Sequence, residues 1–84
     1  EQIVWSNAVF LRDDHTCKIC GVRGVFLNAH HLDGWHWCQE RRYDIDNGVT
    51  LCEGCHQEFH KIYGNTENTA EEFIEFWFCR KDYD

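Results

Sequence analysis

The chain has few basic residues, no proline and no long hydrophobic run. Its 84 residues include 8 Lys and Arg against 15 Asp and Glu, which gives a net charge of -7 at pH 7 with neutral histidines. A chain this acidic has no strong long-range attraction for a polyanion. Any contact with nucleic acid must therefore depend on a local basic patch, on a bound cation or on a neighbouring domain. We expect low affinity and little specificity from this chain alone.

The missing segments also bear on where the protein acts. There is no signal peptide and no apolar run long enough to cross a bilayer. We therefore expect no membrane partner and an intracellular, reducing compartment, the cytoplasm. Without proline, repeats or low-complexity stretches, there is no signal for an internal boundary, and we expect one domain over residues 1–84. The start at Glu1 rather than Met is consistent with a piece of a longer protein.

Cysteine is abundant for so short a chain, and four of the six cysteines form two matched pairs. Cys17 and Cys20 make one C-x2-C pair, and Cys52 and Cys55 make the other. Each pair can present two thiolates from one tight turn, and two pairs complete the tetrahedral shell of a structural zinc site. A domain of this size buries only about 60% of the surface that its unfolded chain exposes. A bound metal is therefore an expected supplement to its core.

Disulfide bonds are the alternative for a chain with six cysteines. Two C-x2-C pairs followed by spaced histidines are typical of metal binding instead, and a reducing compartment favours zinc thiolates over disulfides. Cys38 and Cys79 have no partner at ligand spacing. Each is expected to be a small buried apolar residue or a free thiol.

The middle of the chain predicts a hairpin followed by a helix. Val25-Phe26-Leu27 indicates a first strand, and Val49-Thr50-Leu51 indicates the returning strand after a turn signal at Asp46-Asn47-Gly48. A helix is predicted from about Cys52 to Tyr63, with Gly64 in the position that ends helices.

This arrangement brings histidines together. His56 and His60 are four residues apart on the predicted helix, so both project from one face. His30 ends the first strand, and the three imidazoles can converge on one divalent ion with positions left open for water or substrate. His31 follows in the strand, where side chains alternate in direction, so it need not bind the same ion. It is placed to accept a proton from water near a bound phosphate.

A helix is predicted on each side of this hairpin and helix. Ser6 is a plausible N-cap for a short helix over Asn7 to Asp13. Thr69 and Glu72 form a capping box that begins a C-terminal helix over about residues 69–80. The apolar stripe of that helix, formed by Phe73, Phe76 and Trp77, is expected to pack on the core. The charged end, from Arg80 to Asp84, is expected to fray.

Several of these features occur together in one order that resembles a known family. Cys-x2-Cys, then Ala-His-His, then Asp-Asn-Gly-Val-Thr-Leu-Cys-x2-Cys-His-x3-His, over about residues 16–61, resembles the HNH endonucleases, especially those of phage and homing type. The resemblance implies a small α+β fold, a zinc-bound ββα-metal (His-Me) finger with flanking helices. The core finger would span about residues 16–63.

The resemblance also implies roles for individual residues. The first histidine of the doublet is a metal ligand in the family and the second is the general base, which fall on His30 and His31. In the branch with a three-histidine site, the other ligands fall on His56 and His60. Asn47 corresponds to the central asparagine, which ligates the metal in some branches; we favour a supporting role, in which its amide holds the loop that orients His31.

The implied activity is hydrolysis of DNA phosphodiester bonds with one divalent ion, giving 5′-phosphate and 3′-hydroxyl ends. Three imidazoles favour zinc or nickel by affinity, although magnesium or manganese could support turnover. Arg41 and Arg42 could bind phosphate near the scissile bond, or belong to a solvated loop neutralised by Glu40 and Asp44. The alternative function is a non-catalytic zinc module that binds nucleic acid or protein. Further domains or partners are expected to supply specificity. The resemblance to phage-type proteins implies the cytoplasm of a bacterial or phage-infected cell.

Overall fold

The computed structural model describes residues 2–81 of the chain and has a small α+β fold. Three helices surround a two-stranded antiparallel sheet. The elements in chain order are α1 (Gln2–Arg12), β1 (Leu27–His31), β2 (Gly48–Cys52), α2 (Glu53–Tyr63) and α3 (Ala70–Lys81), with short 3-10 turns at Gln39–Arg41 and Ile45–Asn47. None of the helices within residues 2–81 has the length and apolar character needed to span a membrane.

The predicted hairpin is confirmed, but its first strand begins later than expected. β1 and β2 pair so that His30 lies opposite Val49, and Leu27 lies opposite Cys52. Since α2 begins directly after Cys52, no strand residue is left to pair with anything before Leu27. Val25 and Phe26 therefore lie outside the strand and are exposed, despite their high β propensity.

The predicted start of the N-terminal helix was wrong. α1 begins at Gln2, so Ser6 lies inside the helix rather than capping it. Trp5 and Val9, one turn apart, are both buried, with 3% and 0% of their surface exposed. Packing of this apolar stripe extends the helix by a turn and a half beyond what the capping signal indicated.

The C-terminal end of α1 is bonded to the sheet. The Asp13 carboxylate accepts from the backbone N–H of Thr50 at 3.0 Å, and the Thr50 hydroxyl donates to the carbonyl of Val9 at 3.4 Å. The Arg12 guanidinium donates to the carbonyls of Gly48 at 2.6 Å and Ile45 at 2.8 Å. These bonds fix α1 against β2 and the turn before it.

The core lies between the sheet and the last two helices. Its buried members are Cys17, Val49, Leu51, Phe59, Phe73 and Phe76. The capping box of α3 is confirmed: the Glu72 carboxylate accepts from the N–H of Thr69 at 3.1 Å, and the Thr69 hydroxyl accepts from the N–H of Glu72 at 3.2 Å. α3 continues through residues 80–81, and the part of the predicted frayed end at 82–84 lies outside the described residues. Trp77 is partly buried against the core.

Candidate active site

The four paired cysteines form one cluster. Cys17 and Cys20 come from the loop after α1, Cys52 ends β2, and Cys55 lies in the first turn of α2. Their sulfur atoms all lie within 4.8 Å of one another, and those of Cys20 and Cys52 are 3.7 Å apart. Sulfurs bound to a tetrahedral zinc are separated by about 3.8 Å, given zinc–sulfur bonds of about 2.3 Å. The cluster is compatible with a structural zinc ion.

The electrostatics of the cluster also favour a cation. Burial tends to raise the pKa of Cys17, but hydrogen bonds from the backbone N–H groups of Cys20, Cys52 and Ile19 outweigh it and lower that pKa to about 7. Burial and then the neighbouring cysteine side chains raise the pKa of Cys55. One thiolate is thus readily formed and further thiolates repel it, so a bound cation is needed to keep all four deprotonated. Cys38 is buried and Cys79 is exposed, and neither joins this cluster.

Three histidines form a second cluster. His30 comes from β1, and His56 and His60 come from adjacent turns of α2; one ring nitrogen from each lies within 4.8 Å of the others. The Nε2 atoms of His56 and His60 are 3.0 Å apart. Nε2 of His30 is buried without a hydrogen-bond partner. Since buried polar atoms are normally satisfied, this nitrogen fits the role of a metal ligand. The three residues could hold one divalent ion.

The tautomer of His60 suits metal binding. Its Nδ1 lies 2.7 Å from the carbonyl oxygen of Gly64, and because a carbonyl only accepts, Nδ1 carries the proton. The lone pair is then on Nε2, the atom that faces His56. The same Gly64 oxygen accepts from Nδ2 of Asn68 at 3.0 Å, and Asn68 is buried. A hydrogen bond to the far nitrogen of a histidine ligand is a common feature of metal sites.

The imidazoles of His30 and His56 are neutral at physiological pH. Burial, and then the proximity of His56, His60 and His31, lower the pKa of His30 to about 3. Burial and the proximity of His60 lower the pKa of His56 to about 4. Neutral imidazoles are the form that binds metal, so no proton has to be displaced from these two residues.

A cavity of about 200 Å³ opens beside the three histidines, and within residues 2–81 its lining contains no carboxylate. That absence matters in a chain with so many acidic residues, because it leaves room for an anionic substrate. It also favours late transition metals over magnesium, which prefers oxygen ligands. The lining residues are Ala29, His30, His31, Gly34, Trp35, His36, His56, His60, Asn65 and Asn68.

His31 lines the same cavity, and its ring is held on several sides. Nε2 lies 2.8 Å from the carbonyl oxygen of Arg42, so Nε2 carries the proton and the lone pair is on Nδ1. The imidazole is stacked on the indole of Trp5, with centroids 3.9 Å apart and planes 10° apart. The ring of Trp35 meets it edge to face at 5.6 Å. Burial lowers the pKa of His31, so its neutral form is present at physiological pH.

Asn47 is fully buried and bonded only to backbone among the contacts of the described chain. Its Oδ1 accepts from the N–H of Asp33 at 2.8 Å, and its Nδ2 donates to the carbonyls of Asp33 at 2.9 Å and Arg41 at 3.1 Å. Asn47 thereby joins Asp33, two residues after His31, to Arg41. The next residue, Arg42, supplies the carbonyl that accepts from His31. Both polar atoms of the carboxamide are thus bonded to backbone groups.

The two arginines proposed for phosphate binding have partners of their own. Arg41 forms ion pairs with Asp33 at 2.9 Å and Asp44 at 3.4 Å. Arg42 donates from Nε to the carbonyl of Trp35 at 2.8 Å, and its guanidinium lies over that indole at 4.4 Å. Within the described part of the chain, neither side chain lines the histidine cavity. Their contact with substrate stays a prediction.

Sequence reasoning did not single out several residues around the site. Gly64 was identified only as the end of a helix, although its carbonyl holds His60. Asn65 and Asn68 have no motif spacing and were missed. Trp5 lies far from the doublet in sequence, and no local pattern relates it to His31.

The fold and the two clusters define a small ββα-metal domain. Comparison with known protein families shows which family it belongs to. The sequence profile of the HNH endonucleases matches residues 17–61, more than half of the chain, and the chain belongs to that family. Over 49 residues, 58% of the chain, it is 33% identical to anaredoxin from Nostoc sp. (strain PCC 7120 / SAG 25.82 / UTEX 2576). The chain spans 62% of the length of that protein. No solved structure matches the chain.

Proposed function

We propose that the protein is a metal-dependent DNA endonuclease that hydrolyses phosphodiester bonds, with His31 as general base and one divalent ion bound by His30, His56 and His60. One observation carries this proposal: three imidazoles converge beside a fourth imidazole whose lone pair is on Nδ1, and all four line one cavity. A module that only binds zinc has no need of a free base beside its ligands. Membership of the HNH endonuclease family supports the same activity.

In this mechanism the residues of the chain position water and phosphate and move one proton. Nδ1 of neutral His31 takes the proton of the water that attacks phosphorus. Its Nε2–H bond to the Arg42 carbonyl keeps the ring in place and stabilises the imidazolium that forms. A divalent ion, when bound, supplies Lewis-acid stabilisation of the charge on the phosphate and on the leaving 3′ oxygen. The products would carry 5′-phosphate and 3′-hydroxyl ends.

The cysteine cluster would bind a structural zinc ion that fixes the catalytic geometry. Cys55 directly precedes His56, so an ion bound by the four sulfurs anchors the first turn of α2 next to a catalytic ligand. Cys52 joins β2 to the same turn, because its sulfur accepts from the N–H of Cys55 at 3.5 Å. Zinc at this cluster therefore determines where the helix bearing two ligands begins.

Substrate binding would be weak in the isolated chain. The net charge of -7 opposes long-range attraction to DNA, and Arg41 is already paired with two carboxylates. We propose that DNA is bound through the ion and short-range contacts, that Arg41 and Arg42 contribute phosphate contacts, and that other domains or partners add specificity. The protein would act inside the cell.

Plasmid cleavage tests the proposal. The zinc-loaded chain is incubated with supercoiled plasmid and added manganese, nickel, zinc or magnesium, and the ends are analysed for 5′-phosphate. His31→Ala should keep its fold and metal content and lose about 10²–10⁴-fold in rate. His15→Asn is the matched control, because His15 lies in a turn at φ 51°, a conformation that asparagine tolerates, and is not a cavity residue.

Two results would contradict the assignment. Cleavage by His31→Ala at the parent rate would show that His31 is not the base. A parent chain that binds metal in both clusters but cuts no DNA with any of these metals would favour the alternative function, a non-catalytic zinc module that binds nucleic acid or protein.

A further inference from the structure

We propose that Trp5 is a positioning residue for the general base, and that α1 is therefore part of the active site although it lies outside the segment that matches the family. The inference rests on the proposed function of His31. Its observation is the parallel stack of the two rings, 3.9 Å between centroids and 10° between planes. The matched segment begins at Cys17, and α1 ends at Arg12.

The indole itself is held by burial, by the stack and by a hydrogen bond at its polar edge. Trp5 is only 3% exposed, and one of its faces meets His31. Its Nε1–H donates to the carbonyl oxygen of Asp44 at 2.8 Å. Asp44 directly precedes the 3-10 turn that leads to Asn47 and β2, so the same bond joins α1 to the loop that holds the base.

Gly48 is what allows the indole to reach this position. Gly48 lies opposite His31 in the hairpin register. A Cβ atom on Gly48 would come within 2.6 Å of both a Trp5 ring carbon and a Val9 methyl carbon, closer than atoms can approach. The backbone of Gly48 is extended, at φ -127° and ψ 151°, so no left-handed conformation requires glycine here. Glycine serves the close approach of α1 to the strand beside the base.

The stack and the hydrogen bond of His31 restrain different motions. The indole face limits the imidazole to one plane, and the bond from Nε2 to the Arg42 carbonyl fixes its rotation within that plane. Together they leave one orientation for the Nδ1 lone pair. A leucine at position 5 would fill much of the space but would not define a plane, so the ring could tilt and Nδ1 would lose its alignment. A misplaced catalytic group of this kind can slow a reaction strongly.

The experiment compares four variants under single-turnover conditions with the metal-loaded chain. Trp5→Leu should cut at least about tenfold more slowly, with DNA affinity and metal content unchanged. Trp5→Phe keeps an aromatic face and should recover most of the parent rate. Gly48→Ala keeps the indole but pushes it from its place, and it should resemble Trp5→Leu. Phe10→Leu, the same loss of a ring from the same helix, should cut at the parent rate, because Phe10 contacts His15 rather than His31.

A second measurement does not depend on cleavage. Long-range ¹H–¹⁵N spectra of the histidine rings should show His31 as a single Nε2–H tautomer in the parent and in Trp5→Phe. In Trp5→Leu and Gly48→Ala the signal should shift to mixed tautomers and lose the upfield displacement that a stacked indole produces. If Trp5→Leu does not fold by circular dichroism, Gly48→Ala and Trp5→Phe decide the question by the same two measurements.

The outcomes separate the two proposals. A folded Trp5→Leu that cuts at the parent rate, or whose His31 signals match the parent, would overturn the positioning role. A parent chain that cuts no DNA, while its His31 tautomer still depends on Trp5, would overturn the nuclease function and leave the positioning of the imidazole established. A rate loss that Trp5→Phe does not recover would also overturn the stacking argument, because the lost feature would then be the Nε1–H bond.

Discussion

Nδ1 of His60 lies 2.7 Å from the carbonyl oxygen of Gly64, so the residue that ends α2 also orients a candidate metal ligand. Gly64 has φ 84° and ψ -173°, a conformation that is essentially restricted to glycine. Its carbonyl faces His60 and Asn68 because the chain turns in this unusual way directly after the helix. Helix termination and ligand orientation are thus one local arrangement.

Gly64→Ala should weaken metal binding at the histidine cluster. A Cβ atom would add about 1–3 kcal/mol of backbone strain and displace the carbonyl that accepts from His60. We expect about a 10- to 100-fold loss of divalent-ion affinity, measured by competition with a chelator, since loss of such a supporting bond has effects of that size. Gly54→Ala is the control, because Gly54 is helical and has open space around it. Equal losses in both variants would contradict the role of the Gly64 carbonyl.

Asn47→Asp should be more damaging than its small change in size suggests. Nδ2 of Asn47 donates to two carbonyl oxygens, and a carboxylate in its place would face both without a donor. Leaving buried groups unsatisfied costs about 1–3 kcal/mol, and more when one is charged. We expect a lower urea midpoint and a slower cleavage rate, while Asn7→Asp on the exposed face of α1 should change neither by much. A stable, fully active Asn47→Asp would refute this reading.

Local signals in the sequence were sufficient for most of the finger. Two spacings are short-range features: the C-x2-C spacing within each cysteine pair, and the i, i+4 spacing of His56 and His60 on α2. The structure brings the cysteines and the histidines together in two clusters, as these spacings predict. The helix end at Gly64 was also predictable from the sequence, because a residue of positive φ directly after a helix is usually glycine. These features depend on neighbours along the chain.

Tertiary contacts account for what the sequence did not indicate. Gly48 was interpreted as part of a turn signal, but its lack of a side chain serves the packing of Trp5 and Val9 from a helix some forty residues away. The start of α1 likewise depends on which residues find a buried surface, and the capping preference of Ser6 does not decide it. The pairing of Arg41 with Asp33 could not be foreseen, since Asn47 fixes the path of the loop between them.

Zinc at the cysteine cluster should contribute most of the folding free energy of the finger. Cys52 supplies one sulfur and also accepts from the N–H of Cys55, so Cys52→Ala removes a ligand and a helix cap together. We expect this variant to lose zinc and its cooperative thermal transition, because binding of a structural zinc is coupled to folding. Cys79→Ala, on the exposed side of α3, should keep one zinc and the parent melting temperature. A folded Cys52→Ala without zinc would contradict the assignment.

The buried histidines should make the domain sensitive to acid when the histidine cluster is free of metal. The pKa values of His30 and His56 are about 3 and about 4 in the folded chain, against about 6.5 for an unperturbed histidine. Between these values the unfolded chain binds more protons than the folded one, so the free energy of unfolding rises with pH. Their stabilising effect is therefore complete above about pH 6.5 and is lost progressively as the pH falls toward about 4 and then 3.

Urea unfolding at a series of pH values, with zinc retained in the cysteine cluster, measures the slope of the free energy of unfolding against pH. Each histidine can raise that slope by up to about 1.4 kcal/mol per pH unit. Asp13, whose pKa is also lowered, contributes in the same direction at lower pH, so a variant is needed to isolate the histidines. His30→Phe suits this purpose because His30 packs edge to face on Phe59 at 4.7 Å and a phenyl ring has a similar shape. The slope between about pH 6.5 and about pH 5 should be shallower in His30→Phe than in the parent. Identical slopes in the two chains would show that His30 does not titrate as its burial requires.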